Sequence, residues 1–578
     1  MNNRKLAILQ VGIFIVGLAC ILRLVYLQII QREFLTEKAE SQFTKLINVS
    51  AYRGKIYDRH GEPLALSREV WDAYLVPNGI KNKPEFIRQV HAALPRYDRN
   101  RLVEKVNSTA SFTWMDRQIP RDDYLRLSKL NLIGLNFVKG ETRVYPNTEL
   151  ASHVLGYVGI DNQGLSGIEY QFDSYLKGKS GKIVLEGDPS GRQTVSGKIK
   201  RSVAAENGGD IYLTIDNYVQ YMAERALKKG VQSAQADFGQ IVVMDPRTGE
   251  ILAMATYPDF DPNNHDNARY TTKRNRIVGD FFEPGSIFKI VTMAAALEEK
   301  IVQPNDIMYI PATMDFHGRL IREAHGRDAG ESDRRTVSDI LERSLNVGTT
   351  MLAIRLGEKR LFHYMELFGF GQKTGIELPA ESRGLLRPVK NWSAVDVAMH
   401  SFGQGIAVTP IQITAAYSTV ANRGVCVPPR IVNRFIADDG NYQKSLKIEP
   451  LPRAVSEETA EKLTEIMIQT VERGTGVPAR IKGYPVAGKT GTAQKAGAFG
   501  AGYLSGLYVA SFGGFFPANN PRFVIMVIVD SPKTVIYGSA VAAPIFRETA
   551  LALIDHYDLK PDLEFMKSQN ERDRRAAH

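Results

Sequence analysis

The sequence predicts an α+β protein in three parts: a single N-terminal transmembrane helix, an elongated mixed α/β domain, and a larger domain of antiparallel sheet flanked by helices. Three observations carry this expectation. The run LAILQVGIFIVGLACILRLVYLQII, Leu6 to Ile30, is apolar over a length that crosses a bilayer. SGLYVASFGGFF (505–516) and RFVIMVIVDS (522–531) read as buried strands, whereas helical patterns dominate 284–370 and 455–473. With 578 residues the chain exceeds one ordinary core, and its composition changes at IYLTID, 211–216.

The apolar run follows Arg4 and Lys5, and no A-x-A-type site comes after it, so it reads as a retained anchor rather than a cleaved signal peptide. Arg32, Lys38 and Lys45 lie beyond it, which leaves its orientation open on charge alone. From Gln31 to Asn48 the helical pattern continues as a polar stalk. AYRGKIYDRHGEPLALS (51–67) alternates and turns, a hairpin with Gly61 at its positive-φ position. The polar, Gly-rich stretch 187–210 reads as an exposed hairpin or linker. After residue 211 an amphipathic helix is expected over 218–229, and FGQIVVMDPRTGEILAMAT (238–256) reads as strand, turn and strand. A closing helix spans 541–556, and the charged tail beyond it is expected to be disordered.

Composition excludes several functions. Apolar residues make up 44% and charged residues 24% of the chain, a globular balance. The net charge of +10 comes from Lys and Arg interleaved with Asp and Glu, so a basic surface beside an anionic membrane or polymer is expected, with no nucleic-acid partner. Cys20 and Cys426 are too few for a disulfide framework, and the ten histidines show no metal-ligand spacing.

The chemistry is concentrated in three short motifs. In FEPGSIFKIVTMAAALEEK (282–300), Pro284 and Gly285 mark a helix entry, and the run that follows is apolar on nearly every side. Lys289 is the exception, three residues after Ser286 and therefore on the same face. A serine hydroxyl needs a base to become a nucleophile. Burial and the positive end of a helix both depress a lysine pKa, so Lys289 can serve as that base. Alone, the pair is more simply a helix cap and a snorkelling lysine. Ser344-Leu345-Asn346 adds a hydroxyl and an amide, able to relay a proton and hold a substrate amide. Lys489-Thr490-Gly491-Thr492 precedes the apolar strands and is expected on a strand at the sheet edge, a cation and hydroxyls for a carboxylate. Gly491 would leave room for an extended peptide alongside, and the backbone N–H of Thr492 would join that of Ser286 as an oxyanion hole. A second KTG, Lys373-Thr374-Gly375, lies between Gly and Pro punctuation and reads as a structural turn. Glu342, close before Ser344-Leu345-Asn346, is read as coincidental and not as a deacylating base.

These motifs, in this order, resemble the set found in penicillin-binding proteins and serine β-lactamases. RGKIYDRHGEPLA (53–65) resembles the opening signature of class B penicillin-binding proteins. YPNTELASHVLGYVGIDNQGLSGIEYQFD, RNRIVGDFFEPGSIFK and WSAVDVAMHSFGQGIAVTPIQ are similar to the division-type, FtsI-like members. The resemblance implies a peptidoglycan D,D-transpeptidase that crosslinks stem peptides during septal wall synthesis and is acylated by β-lactam antibiotics. It implies Ser286 as nucleophile, Lys289 as base, Ser344 as proton relay and Asn346 as holder of the peptide amide. Lys489, Thr490 and Thr492 would bind the terminal carboxylate, and no cofactor is needed. The implied organisation is a cytoplasmic start and anchor (1–30), a stalk and non-catalytic pedestal (31–210), a transpeptidase domain (211–557) and the tail (558–578). The implied place is the bacterial cytoplasmic membrane, N-terminus inside and catalytic domain outside. The implied partner is a SEDS-family, FtsW-like glycan polymerase with other division proteins. Arg23 in the span would face such a partner or snorkel to headgroups. Elongation- and sporulation-type transpeptidases, a β-lactam-sensing receptor and a catalytically silent scaffold are the alternatives; a secreted β-lactamase would need neither anchor nor pedestal.

Overall fold

Asn3–Val25 is α-helical and continues as a π-helical turn, Tyr26–Ile30. The computed structural model describes residues 3–33, 35, 44–49, 51–186, 199–323, 332–437, 443–445, 449–497 and 502–576. The 25 residues Leu6–Ile30 have a mean hydropathy of 2.5 and none is buried. At 1.5 Å per residue they extend roughly 37 Å, more than the ~30 Å hydrocarbon core of a bilayer. This helix has the length and apolarity of a single-pass anchor. The stalk does not stay helical throughout: Thr44–Val49 is a strand paired antiparallel with Gly181–Glu186. Of the hairpin or linker expected at 187–210, residues 187–198 lie outside the described residues, and Ile199–Val203 is the third strand of that small sheet.

The hairpin predicted around Gly61 forms from Ile56–Tyr57 and Pro63–Leu75, with Gly61 at φ 92°. The long strand Pro63–Leu75 then pairs with Thr113–Ile119 and Leu135–Val144. One face of this sheet is covered by the helices Lys83–Ala93, Arg99–Val106 and Arg121–Ser128, through a core that includes Leu75, Phe86, Val90, Leu102, Met115 and Leu127. Asn82 and Asp98 cap the first two helices by accepting backbone N–H bonds.

The RGKIYD stretch owes its form to a buried ion cluster that hydrophobic patterning does not reveal. Arg53 donates to Glu169 at 2.7 Å and to Asp173 at 2.7 Å, and Arg143 donates to the other oxygen of Glu169 at 2.6 Å. Glu169 is fully buried and also accepts from the Tyr145 hydroxyl at 3.3 Å. The guanidinium ends bind backbone as well: Arg53 reaches the carbonyls of Asn162 and Glu169, and Arg143 that of Gly54. Burying charge is tolerated only when each charge is paired and hydrogen-bonded, as these are.

The following turn fastens this region to the larger domain. Asp58, fully buried, accepts from the backbone of His60 and Glu62 and from Asn217, the first residue of the helix Asn217–Ser233. Asp216 caps that helix, and its second oxygen takes His60 at 3.1 Å and the Tyr557 hydroxyl at 3.0 Å. The two regions also share a sheet, because Asp210–Leu213 lies between Ile56–Tyr57 and Val432–Ile436.

The larger domain is built on a five-stranded antiparallel sheet in the order Ile251–Tyr257, Phe238–Met244, Phe523–Asp530, Tyr503–Phe516, Ala487–Ala496. Its central strand explains its own composition. Ile525, Val527 and Val529 face the helices Asn217–Ser233 and Gly538–His556, whereas Val524, Met526 and Ile528 face the opposite core, which contains Lys289–Glu298 and Pro410–Ala421. A strand buried on both sides is apolar throughout rather than alternating.

The charged tail is a correction. Leu563–Ala576 is helical and docked. Gln569, 1% exposed, accepts from the backbone of Gly483 at 2.9 Å and donates to Glu472 at 2.8 Å. Arg572 and Arg480 both pair with Glu472, and Arg480 also binds Asp573. The helix is held by polar contacts, so a search for apolar periodicity passes over it.

Replacing Glu169 with Ala leaves two buried guanidinium groups without their shared anion. The expected outcome is a loss of ~3–5 kcal/mol, read as a lowered thermal midpoint of the detergent-solubilised protein; an unchanged midpoint would show that the cluster is not needed for stability.

Candidate active site

FEPGS does not enter its helix directly. Gly285–Phe288 forms a single 3₁₀ turn and the α-helix begins at Lys289. In a 3₁₀ turn residues i and i+3 eclipse, which aligns Ser286 with Lys289. Ser286 is half-buried and, among the described residues, its hydroxyl has no hydrogen-bond partner, so it does not act as a side-chain cap. The turn is held from outside. Gly285, at φ 56°, donates its N–H to Gly403 at 3.0 Å, and the fully buried Tyr417 donates its hydroxyl to the carbonyl of Ile287 at 3.0 Å. A Cβ on Gly403 would stand 2.4 Å from the Gly285 carbonyl, so only glycine permits this approach. The WSAVDVAMHSFGQG stretch serves the same support. Burial pushes its His400 down to about 4, so the ring stays neutral and is not an acid–base group.

Lys289 is 1% exposed. Its ammonium nitrogen lies 2.7 Å from the carbonyl of Ser344, 2.7 Å from Asn346 Oδ1 and 3.4 Å from Ser344 Oγ. Burial is the main cause that lowers its pKa from 10.5 to about 7, and the carboxylate of Glu323 opposes it. Ser344 and Asn346 are presented by a helix C-terminus. After Val337–Glu342, Leu345 N–H bonds to the Ile340 carbonyl and Ser344 N–H to the Leu341 carbonyl, the double bond of a Schellman ending. The left-handed position of that motif usually holds glycine; here it is Ser344 at φ 61°. Strain of this kind persists where a side chain is needed at the position. Asn346 then starts the next helix, Asn346–Leu356, and its amide donates to the carbonyl of Arg322 at 2.8 Å.

Glu323 was not singled out from the sequence. Its carboxylate accepts the backbone N–H groups of Asn346 and Val347, capping their helix. It follows the strand Arg319–Arg322, 23 residues before Asn346, and no local signature marks it.

Lys489-Thr490-Gly491-Thr492 lies where expected, on the edge strand Ala487–Ala496. Lys489 is fully buried and donates to the Thr490 carbonyl at 2.9 Å. Burial, then the neighbouring charge of Lys289, holds its pKa well below the ordinary lysine range. Thr490 Oγ1 lies 2.8 Å from Thr475 Oγ1, and Thr492 Oγ1 accepts from the backbone of Gly538 at 3.1 Å. Gly491 also has a packing role that the sequence does not announce. A Cβ there would lie 2.4 Å from Ser511 Oγ and 3.0 Å from Ile287 Cγ2, so its missing side chain lets the serine turn press against the strand.

A cleft of about 640 Å³ opens over these elements. Ser286, Asn346 and Thr492 line it, with Glu323, Gln404 and Arg319 among the opposing residues. Lys289, Lys489 and Thr490 are buried. An accessible hydroxyl beside a depressed lysine, with a second buried cation on the strand, suits acyl transfer to serine from a substrate that ends in a carboxylate.

Residues 239–550 match the penicillin binding protein transpeptidase domain, and residues 48–213 the penicillin-binding protein dimerisation domain. The chain belongs to the penicillin-binding protein family. Stage V sporulation protein D of Bacillus subtilis is 35% identical over 569 residues, 97% of this chain and 87% of that protein. The peptidoglycan D,D-transpeptidase FtsI of Escherichia coli K12 is 31% identical, covering 97% of this chain and 93% of its own length. The crystal structure of penicillin-binding protein 3 of Mycobacterium tuberculosis, complexed with aztreonam, is similar with a TM-score of 0.70 at 28% identity, over 89% of this chain and 98% of that one.

In this penicillin-binding protein the second KTG is a turn. Glu381 accepts from the Thr374 hydroxyl at 2.7 Å and from the backbone of Gly375 at 3.2 Å, with Gly375 at φ 84°. Glu342 is occupied too: Arg473 grips both its oxygens at 2.9 Å.

The folded pKa of Lys289 lies below its unfolded value, so its neutral form gains as pH rises through about 7, and this group adds stability between about 7 and 10.5. The rate of β-lactam acylation is therefore expected to rise with pH through a midpoint near 7 and then level off. Glu323→Gln removes the anion that favours the ammonium and is expected to move the midpoint lower. A wild-type midpoint near 10.5 would contradict the desolvated lysine.

Proposed function

We propose that this protein is a peptidoglycan D,D-transpeptidase that works through an acyl-serine at Ser286. The observation that carries the reading is the Ser286 hydroxyl, without a partner among the described residues, aligned with buried, depressed Lys289 at the wall of the cleft. Lys289 takes the hydroxyl proton as Ser286 Oγ attacks the carbonyl of the penultimate D-Ala of a stem peptide. The C–N bond to the terminal D-Ala breaks and Ser344 relays a proton to the departing amine. An amine of a neighbouring stem peptide then attacks the ester, restoring the Ser286 hydroxyl and forming the crosslink. Asn346 holds the donor's amide, Lys489, Thr490 and Thr492 bind its terminal carboxylate, and the N–H groups of Ser286 and Thr492 receive the oxyanion. A β-lactam enters the same path and stays as the acyl-enzyme because its leaving amine remains tethered.

The division-type stretches support a septal role beside an FtsW-like SEDS polymerase, in the cytoplasmic membrane with the catalytic domain outside. The sporulation protein among the relatives makes a sporulation role the second reading. Boundaries near residues 30, 210 and 557 for anchor, pedestal and catalytic domain belong to the same proposal. A fluorescent fusion decides between the roles: signal at the division septum of vegetative cells supports the first, and signal confined to sporulating cells removes it.

Fluorescent penicillin tests the chemistry. Labelling is expected to disappear in Ser286→Ala and to slow ~100-fold in Lys489→Ala, while Lys373→Ala labels as the unaltered protein does. Undiminished labelling of Ser286→Ala would refute the nucleophile.

A further inference from the structure

We propose that Thr475 is a positioning residue that turns the hydroxyl of Thr490 toward the carboxylate of the bound ligand. The inference rests on the acyl-serine reading above and concerns how the donor's carboxylate is held.

Thr490 Oγ1 has one proton and two lone pairs. Lys489 donates to it at 3.4 Å, and Thr475 Oγ1 lies 2.8 Å away, where either hydroxyl can be the donor. The direction of that bond decides what Thr490 offers a ligand. If Thr490 donates, its only proton is spent inside the protein. If Thr475 donates, both lone pairs of Thr490 are taken and its proton is left for a third partner. Among the described residues Thr475 Oγ1 has no other hydrogen-bond partner, so nothing in the ligand-free protein competes for its proton. An incoming carboxylate selects the second arrangement, because a hydrogen bond to an anion is the stronger one and each bond in such a chain polarises the next.

The backbone of Thr475 is fixed in a way an ordinary surface threonine is not. Its N–H donates to the carbonyl of Glu342 at 3.1 Å, and that of Gly476 to Thr470 at 2.9 Å. The bidentate pair of Arg473 with Glu342, which is 3% exposed, precedes it. A Cβ on Gly474 would lie 2.4 Å from the Glu342 carbonyl. One residue before Arg473, Glu472 is held by Arg480 and by Gln569 and Arg572 of the C-terminal helix. The segment 472–476 therefore ties the helix that leads to Ser344 to the strand that carries Lys489, and Thr475 is the point where it touches the carboxylate-binding side.

The test compares benzylpenicillin with its methyl ester, which lacks the carboxylate charge, on the full-length protein in detergent. In Thr475→Val the ratio of the two acylation rates is expected to fall about tenfold, the scale of one hydrogen bond, and Thr475→Ser is expected to restore it. Because the ratio refers to folded protein alone, partial unfolding of a variant does not alter it, and Thr475→Ala provides a second reading. An unchanged ratio in both Thr475→Val and Thr475→Ala, with both rates falling together, would overturn the proposal. Failure of the unaltered protein to react with either compound would instead overturn the acyl-serine reading beneath it.

Discussion

Two lysine side chains, Lys289 and Lys489, are buried close enough for the charge of one to depress the other. Such a pair cannot keep both charges without water unless acceptors are built around it. The surrounding elements meet that requirement with groups that are not carboxylates in direct contact: the Ser344 carbonyl, Asn346 Oδ1 and the Thr490 carbonyl. Neutral acceptors solvate a lysine without locking it in its charged form, which a contacting carboxylate would do. Among the described residues the anion that acts on Lys289 is Glu323, and it is itself occupied by two helix N–H groups. The arrangement demands that a helix start, a helix ending and a sheet edge meet at one point, and the rest of the catalytic domain can be understood as the scaffold for that meeting.

Much of this was visible in the sequence, for identifiable reasons. Strands such as Phe523–Asp530 are buried on both faces and announce themselves by unbroken apolarity. The choice between the two KTG triplets was open to local pattern, because Lys489 precedes apolar strands and Lys373 sits among turn residues. Residues whose meaning depends on distant partners were not visible. Glu169 meets Arg53 across 116 residues, Thr475 meets Thr490 through a loop, and Glu323 reaches forward to a helix it does not belong to. The C-terminal helix failed for a related reason: a segment docked by Gln569 and arginine pairs looks, in composition, like one left in water.

The pedestal and the catalytic domain are joined by more than a linker. They share a sheet through Asp210–Leu213, and the DRHG turn places buried Asp58 against the start of a catalytic-domain helix. Arg59 adds a pair with Glu250, which Arg430 also holds. Polar joints of this kind are directional, so they fix an angle between the two parts where an apolar interface would allow sliding. An angle fixed in this way sets where the cleft stands relative to the pedestal.

The bare backbone at Gly491 also bears on how this enzyme can change under selection. Any side chain there would strike Ser511 and Ile287 together, and Ile287 is the residue next to Ser286. A substitution at this point of the strand therefore also displaces the turn that carries Ser286. Substitution has room on the opposite rim, where Arg319 and Leu320 line the cleft from an exposed hairpin. Packing constrains the strand at Gly491, and the exposed rim leaves side chains free to change in size and charge.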